Sequence, residues 1–272
     1  MTRVYCYAHH HLHLTEQTGP ALDAVSLCLP HGAYTTLRTY DTDRIVGLTP
    51  HLQRLIDSSA MLQRPYPVDP AAVRSALREV IARERQPSLR VRLTVPLEAD
   101  QIFISVEPFE VYPPEFYQHG VRCATTRLSR RTPLAKSTDF IAPSRESKAA
   151  NDPAIHELLM VNRAGEILEG ISSNFYAVLN GVLRTAGEGV LEGITRGIVL
   201  QEAASIIPIE YQPIQLSDLD WAAETFITSS SREVMPVIQI DDQLVGAGQP
   251  GPITQSLLEK YRKELARNAE VV

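Results

Sequence analysis

Cysteine, tryptophan and long apolar runs are scarce in this chain of 272 residues. Its three cysteines, Cys6, Cys28 and Cys123, are odd in number and far apart, which argues against a disulfide framework or a zinc site and fits reduced, mostly buried thiols. No apolar stretch approaches the roughly 20 residues that a membrane-spanning helix requires. The opening MTRVYCYAHHHLH lacks the apolar segment of a secretory leader, so a cytoplasmic location and no membrane partner are expected. An excess of positive charge is missing as well. With 26 Lys+Arg against 32 Asp+Glu the formal net charge is -6, which disfavours a broad nucleic-acid surface. Internal repeats and low-complexity segments are absent. His9, His10, His11 and His13 are read as a solvated stretch rather than metal ligands, and no metal is expected. What the chain does have is a 44% hydrophobic composition, enough to bury a core in one large domain or two of moderate size.

The first part reads as strands followed by helices. Ala33 to Tyr40 is rich in aromatic and β-branched residues and runs into polar Asp41-Thr42-Asp43, the pattern of a strand entering a hairpin turn. Tyr34, Thr36 and Arg38 then share one face. Thr49 reads as the cap of a helix with Pro50 at its first position and Leu52, Leu55, Ile56 and Leu62 as its buried stripe. His51, Arg54 and Ser58 fall on a different stripe. Asp69-Pro70 opens a second helix carrying Val73, Ala76, Leu77, Val80 and Ile81, and strands are expected over Leu89 to Val95 and Ile102 to Val106.

Pro113-Pro114 and Gly120 mark a change of organisation, so a domain boundary is expected near residue 118, with one domain over 1–118 and another over 119–272. Val121 to Thr126, Leu158 to Val161, Asn174 to Leu179 and Gly181 to Arg184 read as strands, with Asn180-Gly181 a hairpin turn. Helices are expected to start at Gly193-Ile194-Thr195 and at Pro252. The basic run Arg127, Arg130 and Arg131 reads as a solvated linker face.

Chemistry-bearing residues concentrate between Leu168 and Arg196, where small polar residues and glycines punctuate the strands. Gly193-Ile194-Thr195 ahead of a helix combines backbone N–H groups, the positive end of a helix dipole and a hydroxyl, a set that suits a phosphate; a plain helix cap explains Thr195 equally well. Thr228-Ser229-Ser230-Ser231, after an apolar strand over Glu224 to Ile227, offers a second anion-binding cluster or an ordinary turn. Gly187-Glu188-Gly189 lacks the spacing of a dinucleotide fingerprint.

Leu168-Glu169-Gly170-Ile171-Ser172-Ser173-Asn174-Phe175, followed by Leu191-Glu192-Gly193-Ile194-Thr195-Arg196, resembles the paired signature of the class IV aminotransferases, the fold type IV pyridoxal phosphate enzymes. The resemblance runs from His31-Gly32 through the helix of residues 50–62 to Pro236. It implies an α/β chain of two domains, a small α/β N-terminal domain and a larger β-barrel-like C-terminal domain with helices, with pyridoxal 5'-phosphate between them. Lys136, in Pro133-Leu134-Ala135-Lys136, stands at the family's spacing before the glutamate and would form the Schiff base; Lys148 lies closer than that spacing. Glu169 would face the pyridine nitrogen and keep the ring protonated. Arg54, in His51-Leu52-Gln53-Arg54-Leu55, matches the H-x-x-R-L pattern whose arginine grips the cofactor phosphate. Ile194 and Thr195 would complete the phosphate cup, Ser230 matches a position near the phosphate and the substrate carboxylate, and Leu191 would pack on the ring or serve as a core leucine.

On the substrate side the resemblance points to Tyr34 and Arg92. D-amino acid aminotransferases share Tyr34, but the arginine and histidine they carry after the following strand are missing from Pro96 to Gln101. Branched-chain enzymes have Y-I-R-P where this chain has Arg90-Val91-Arg92-Leu93, so Arg92 is the candidate for a substrate carboxylate. The family's glycine-aspartate-glycine is Pro30-His31-Gly32, the glutamate after the aromatic is Thr35, and Phe140 and Ile141 occupy the region of a family tyrosine. The implied activity is transfer of an amino group between an amino acid or amine and a 2-oxo acid, by a homodimer. Tyr34-Thr35-Thr36 resembles the F-T-T of some aminodeoxychorismate lyases, so release of pyruvate and 4-aminobenzoate is the alternative, with a cofactor-binding protein lacking turnover as a third reading.

Overall fold

The computed structural model describes residues 1–64 and 69–272. Along the chain run β1 (Thr2–Ala8), β2 (His11–Gly19), α1 (Leu22–Ser26), β3 (Gly32–Tyr40), β4 (Arg44–Val46), α2 (Leu48–Met61), α3 (Pro70–Glu84), β5 (Leu89–Pro96) and β6 (Ile102–Pro108). There follow α4 (Pro114–His119), β7 (Val121–Thr126), α5 (Ile141–Ala149), β8 (Ile155–Val161), β9 (Glu166–Gly170), β10 (Asn174–Leu179), β11 (Val182–Arg184) and α6 (Ile194–Ala203). The last elements are β12 (Ile209–Glu210), β13 (Ile214–Gln215), β14 (Ala222–Ser229), β15 (Glu233–Ile240), β16 (Gln243–Leu244), α7 (Pro252–Asn268) and β17 (Ala269–Val271). The chain divides into unit 1, comprising Met1–Val111, Ala135–Pro143 and Arg267–Val272, and unit 2, comprising Tyr112–Leu134 and Ser144–Ala266.

Unit 1 is built on an antiparallel sheet in the order β17-β4-β3-β5-β6-β1-β2. Strand alternation gives it two unlike faces. Ala33, Leu37, Val91, Leu93 and Val95 point to one side and pack with Leu48, Leu52 and Leu55 of α2 and Val73, Leu77 and Val80 of α3. Removing each such aliphatic side chain from water contributes about 1.5–3 kcal/mol. Thr35 has the same parity as Ala33 and Leu37, and it is fully buried. The register Tyr34↔Thr94, Thr36↔Arg92 and Arg38↔Arg90 puts the polar and cationic residues on the other face, as the alternation of β3 implied.

The start of α3 matches its sequence signal, since the Asp69 side chain accepts the Ala71 N–H. The start of α2 does not. Gly47, in the left-handed region at φ 63, is the cap and Leu48 the first helical residue, so Thr49 lies inside the helix. The Thr49 N–H and hydroxyl donate instead to the Glu270 carboxylate, at 2.9 and 2.8 Å, because β17 pairs with β4 beside them. The hairpin of β1 and β2 carried little sequence signal, because β2 exposes most of its residues and shows no apolar alternation. His9 and His10 form its turn, both at positive φ. Cys6 and Cys123 are buried while Cys28 is exposed, and all three are free.

In unit 2 the strands run β12-β11-β10-β14-β15-β7-β8-β9-β13, and β9 also pairs with β10. That extra pairing, Asn174↔Glu169, closes β10, β14, β15, β7, β8 and β9 into a barrel-like ring. Its apolar core includes Cys123, Leu159, Phe175, Ala177, Phe226, Ile227, Met235 and Val237 with Val199 of α6 and Leu257 and Tyr261 of α7. Asn180 and Gly181 sit at φ 51 and 75, the double left-handed geometry of a type I′ hairpin turn.

Candidate active site

The closing strand pair of unit 2 places a carboxylate and its donors together. Glu169, at the end of β9, is 1% exposed. Its Oε1 accepts from Arg130 Nε at 3.0 Å, and its Oε2 accepts from the Leu191 N–H at 3.1 Å and from Asn174 Nδ2 at 3.4 Å. Asn174 Nδ2 also donates to the Leu191 carbonyl at 2.7 Å, which ties the loop before α6 to β10. Arg130 Nη2 donates to the Ile171 carbonyl at 2.9 Å. With side chains only 5% and 2% exposed, Arg130 and Glu169 form a buried, multiply bonded ion pair. A buried charge is tolerated when it is paired and hydrogen-bonded in this way. Arg130 is therefore not part of a solvated linker face, as its basic neighbours suggested.

The residues expected around a phosphate lie at the start of α6 and in the turn after β14. Gly193 caps α6 from an extended conformation, and Ile194 and Thr195 open the helix, where N–H groups have no intrahelical acceptor. Thr195 is 3% exposed. A side chain at residue 193 would not fit, because its Cβ would stand 2.2 Å from Asn174 Oδ1. Ser230 lies in the turn joining β14 to β15. Leu191 is buried and contributes its backbone to the Glu169 cluster.

A second buried pair supports the turn between β9 and β10. Glu157, in the middle of apolar β8, takes the hydroxyl protons of Ser172 and Ser173 at 2.6 and 3.0 Å and faces Arg232 at 3.4 Å. Arg232 Nη1 donates to Ser172 Oγ at 2.9 Å, and its Nε donates to His156 Nε2 at 3.2 Å. Burial pushes His156 down to about 3, and Arg232 and Lys148 push the same way, so it is neutral at ordinary pH. Burial alone would raise Glu157, but Arg232, Ser172 and the Leu158 N–H outweigh it and hold the carboxyl below the usual range. Sequence reasoning passed over Glu157, Arg232 and His156. The available signal was one acid inside the apolar run of residues 155–161, which had to have a partner.

Unit 1 carries Lys136 beside the first residues of β3. The Tyr34 N–H donates to the Lys136 carbonyl at 2.8 Å, the Lys136 N–H donates to Ser58 Oγ of α2 at 3.1 Å, and Ser137 pairs with Ala33. Lys136 Nζ stands 4.8 Å from the Tyr34 ring centroid, and the Arg92 guanidinium carbon stands 4.6 Å from the same centroid. Arg92 is 3% exposed. Its Nη2 donates to Asp23 at 2.7 Å, its Nη1 to Ser26 Oγ at 2.7 Å and its Nε to Thr36 at 3.2 Å, so its charge is met within unit 1. Arg54 Nη2 donates to Thr35 Oγ1 at 2.9 Å and lies 3.4 Å from His51 Nδ1.

Each unit by itself carries groups that fit pyridoxal 5'-phosphate. In unit 2 a buried carboxylate suits a protonated ring nitrogen and the opening turn of α6 suits a phosphate; in unit 1 Arg54 suits a phosphate and Lys136 is an amine for an aldehyde. Residues 32–240 match the family model for amino-transferase class IV. The chain is 30% identical over 243 residues to a D-alanine aminotransferase of Bacillus licheniformis, covering 83% of this chain and 84% of that one. It is 24% identical over 268 residues to a branched-chain-amino-acid aminotransferase of Pseudomonas aeruginosa, covering 88% and 87%. The solved structure of a branched-chain aminotransferase from Thermoproteus uzoniensis with norvaline superposes with a TM-score of 0.81 at 25% identity, covering 98% and 96%. The chain belongs to the class IV aminotransferases, pyridoxal phosphate-dependent enzymes of fold type IV.

Proposed function

We propose that Lys136, Glu169 and Arg54 make the three principal contacts to pyridoxal 5'-phosphate, and that the protein works as a cytoplasmic homodimer transferring an amino group between an amino acid or amine and a 2-oxo acid. The cofactor supplies the aldehyde that receives the amino group and a ring that accepts the electron pair left on the substrate α-carbon. Lys136 Nζ binds the cofactor between turnovers, then takes the α-proton and returns it. Glu169 holds a proton at the ring nitrogen. Arg54, the N–H groups of Ile194 and Thr195, and Ser230 hold the phosphate, and Leu191 covers the ring. Tyr34 and Arg92 form the substrate side, with Arg92 steadied by Asp23 and stacked against Tyr34.

The observation that carries this reading is the Glu169 carboxylate, buried with donors on both oxygens. The test is spectroscopic. With no acceptor present, an amino donor from a panel of L-leucine, L-valine, D-alanine and an (R)-amine should bleach the bound cofactor's visible band, and a 2-oxo acid should restore it. A panel that leaves the band untouched, together with pyruvate release from aminodeoxychorismate, would replace the transferase reading with the lyase.

A further inference from the structure

Arg54 contacts two buried groups of unit 1, the Thr35 hydroxyl and the His51 ring. A guanidinium can only donate. Arg54 Nη2 donates to Thr35 Oγ1 at 2.9 Å, and Thr35 Oγ1 is hydrogen-bonded to His51 Nδ1 at 2.8 Å. Arg54 Nη2 also lies 3.4 Å from His51 Nδ1. The His51 imidazole is neutral at ordinary pH. Burial drives it well below the usual imidazole range, with Arg54 and Lys136 adding to the effect. Both supports are sealed in the core, Thr35 at 0% and His51 at 1% exposure.

The placement follows from the sequence. Thr35 has the inward parity of β3, and His51 and Arg54 are three apart on α2, hence on one helix face. Where the family commonly has a glutamate after the aromatic, this chain has Thr35. The Thr35 hydroxyl directs the guanidinium as a neutral acceptor, whereas a carboxylate at position 35 would also oppose its charge.

We propose that Thr35 and His51 are positioning residues for Arg54 and set the preference of this chain for a phosphorylated ligand over its dephosphorylated counterpart. The inference rests on the reading of Arg54 as a phosphate-binding residue. Thr35→Val keeps the shape of the side chain and removes both hydrogen bonds. Thr35→Ser retains them, and His51→Asn offers an amide oxygen as the acceptor. The full-length chain, stripped of cofactor and titrated with pyridoxal 5'-phosphate and separately with pyridoxal, supplies the readout, with melting temperature as a control.

Thr35→Val should raise the Kd for pyridoxal 5'-phosphate roughly tenfold or more, the effect of losing a hydrogen bond to a charged group, and leave the Kd for pyridoxal within about twofold. Thr35→Ser should restore the phosphate preference, and His51→Asn should fall between the wild type and Thr35→Val. Equal weakening of both ligands, or unchanged affinity for both, overturns the inference. Arg54→Ala in the same series separates the two failures. If it weakens pyridoxal 5'-phosphate while Thr35→Val does not, the positioning role alone is wrong; if it leaves the affinity intact, the phosphate assignment is wrong and this inference falls with it.

Discussion

Arg54 in unit 1 and Arg130 in unit 2 make contacts of different kinds. Arg54 is oriented by a hydroxyl and a neutral imidazole, while Arg130 is locked to the Glu169 carboxylate with both side chains almost wholly buried. Neutral partners direct a cation and leave its field intact, which suits a group meant to attract a phosphate. An ion pair spends the cation on an anion, so Arg130 contributes alignment of Glu169 rather than attraction. Arg232 is likewise paired with Glu157, and Arg92 with Asp23 while it also stacks on Tyr34.

The sharpest control on this comparison removes neither network. Lys136→Ala should leave both intact and lower kcat by about 10³-fold, within the range for loss of a proton-transferring group. Borohydride reduction of the wild type followed by peptide mapping should find the cofactor on Lys136, and a label on Lys148 would reassign the chemistry.

Next in size is the contrast between the two arginines. Arg130→Ala should destabilise folding by about 3–5 kcal/mol in urea, because it strands a buried carboxylate. Arg54→Ala should change the folding stability of the cofactor-free chain by less than about 1 kcal/mol and weaken cofactor binding by about 2–4 kcal/mol. If the two variants behave alike in both measurements, the distinction drawn from their partners is lost.

The smallest effect is on acid stability. His51 and His156 are both held below the ordinary imidazole value of 6.5, by burial first, His156 to about 3. Unfolded imidazole takes up a proton near pH 6.5 while the folded one does not, so the unfolded chain binds more protons and stability falls as the pH drops below that value. At pH 5.5 the loss should be about 1 kcal/mol per histidine relative to pH 7.5. His156→Asn should flatten the urea-unfolding profile between these pH values, and an unchanged slope would place the titration elsewhere.

Much of this was legible in the chain because its signals are local. The run from Leu168 to Phe175, the capped start of α6 and the His51–Arg54 spacing each lie within a few residues, and the parity of β3 put Tyr34, Thr36 and Arg38 on one face. What escaped was long-range or masked by polarity. Arg130 announces a charge but not a partner 39 residues away, and Glu157 gives no hint that Arg232 will reach it from the turn between β14 and β15. Thr49-Pro50 looked like a helix cap because Thr before Pro is a common one; Gly47 took that place through its left-handed backbone, and Glu270 claimed Thr49.

The ring of strands in unit 2 is completed by a single residue pair, Asn174 with Glu169, and Glu169 is also the residue we propose for the cofactor ring. Occupancy of that residue and integrity of the seam are then linked equilibria. A ligand that engages Glu169 only when the seam is shut stabilises the closed ring by about 2.7 kcal/mol at a hundred times its Kd. The backbone bonds flanking the seam, from the Gly170 N–H to Ser173 and from the Ile171 N–H to Leu158, would open less often in the loaded protein. Cofactor supply would in this way set how long the barrel of unit 2 persists as well as how fast the enzyme turns over.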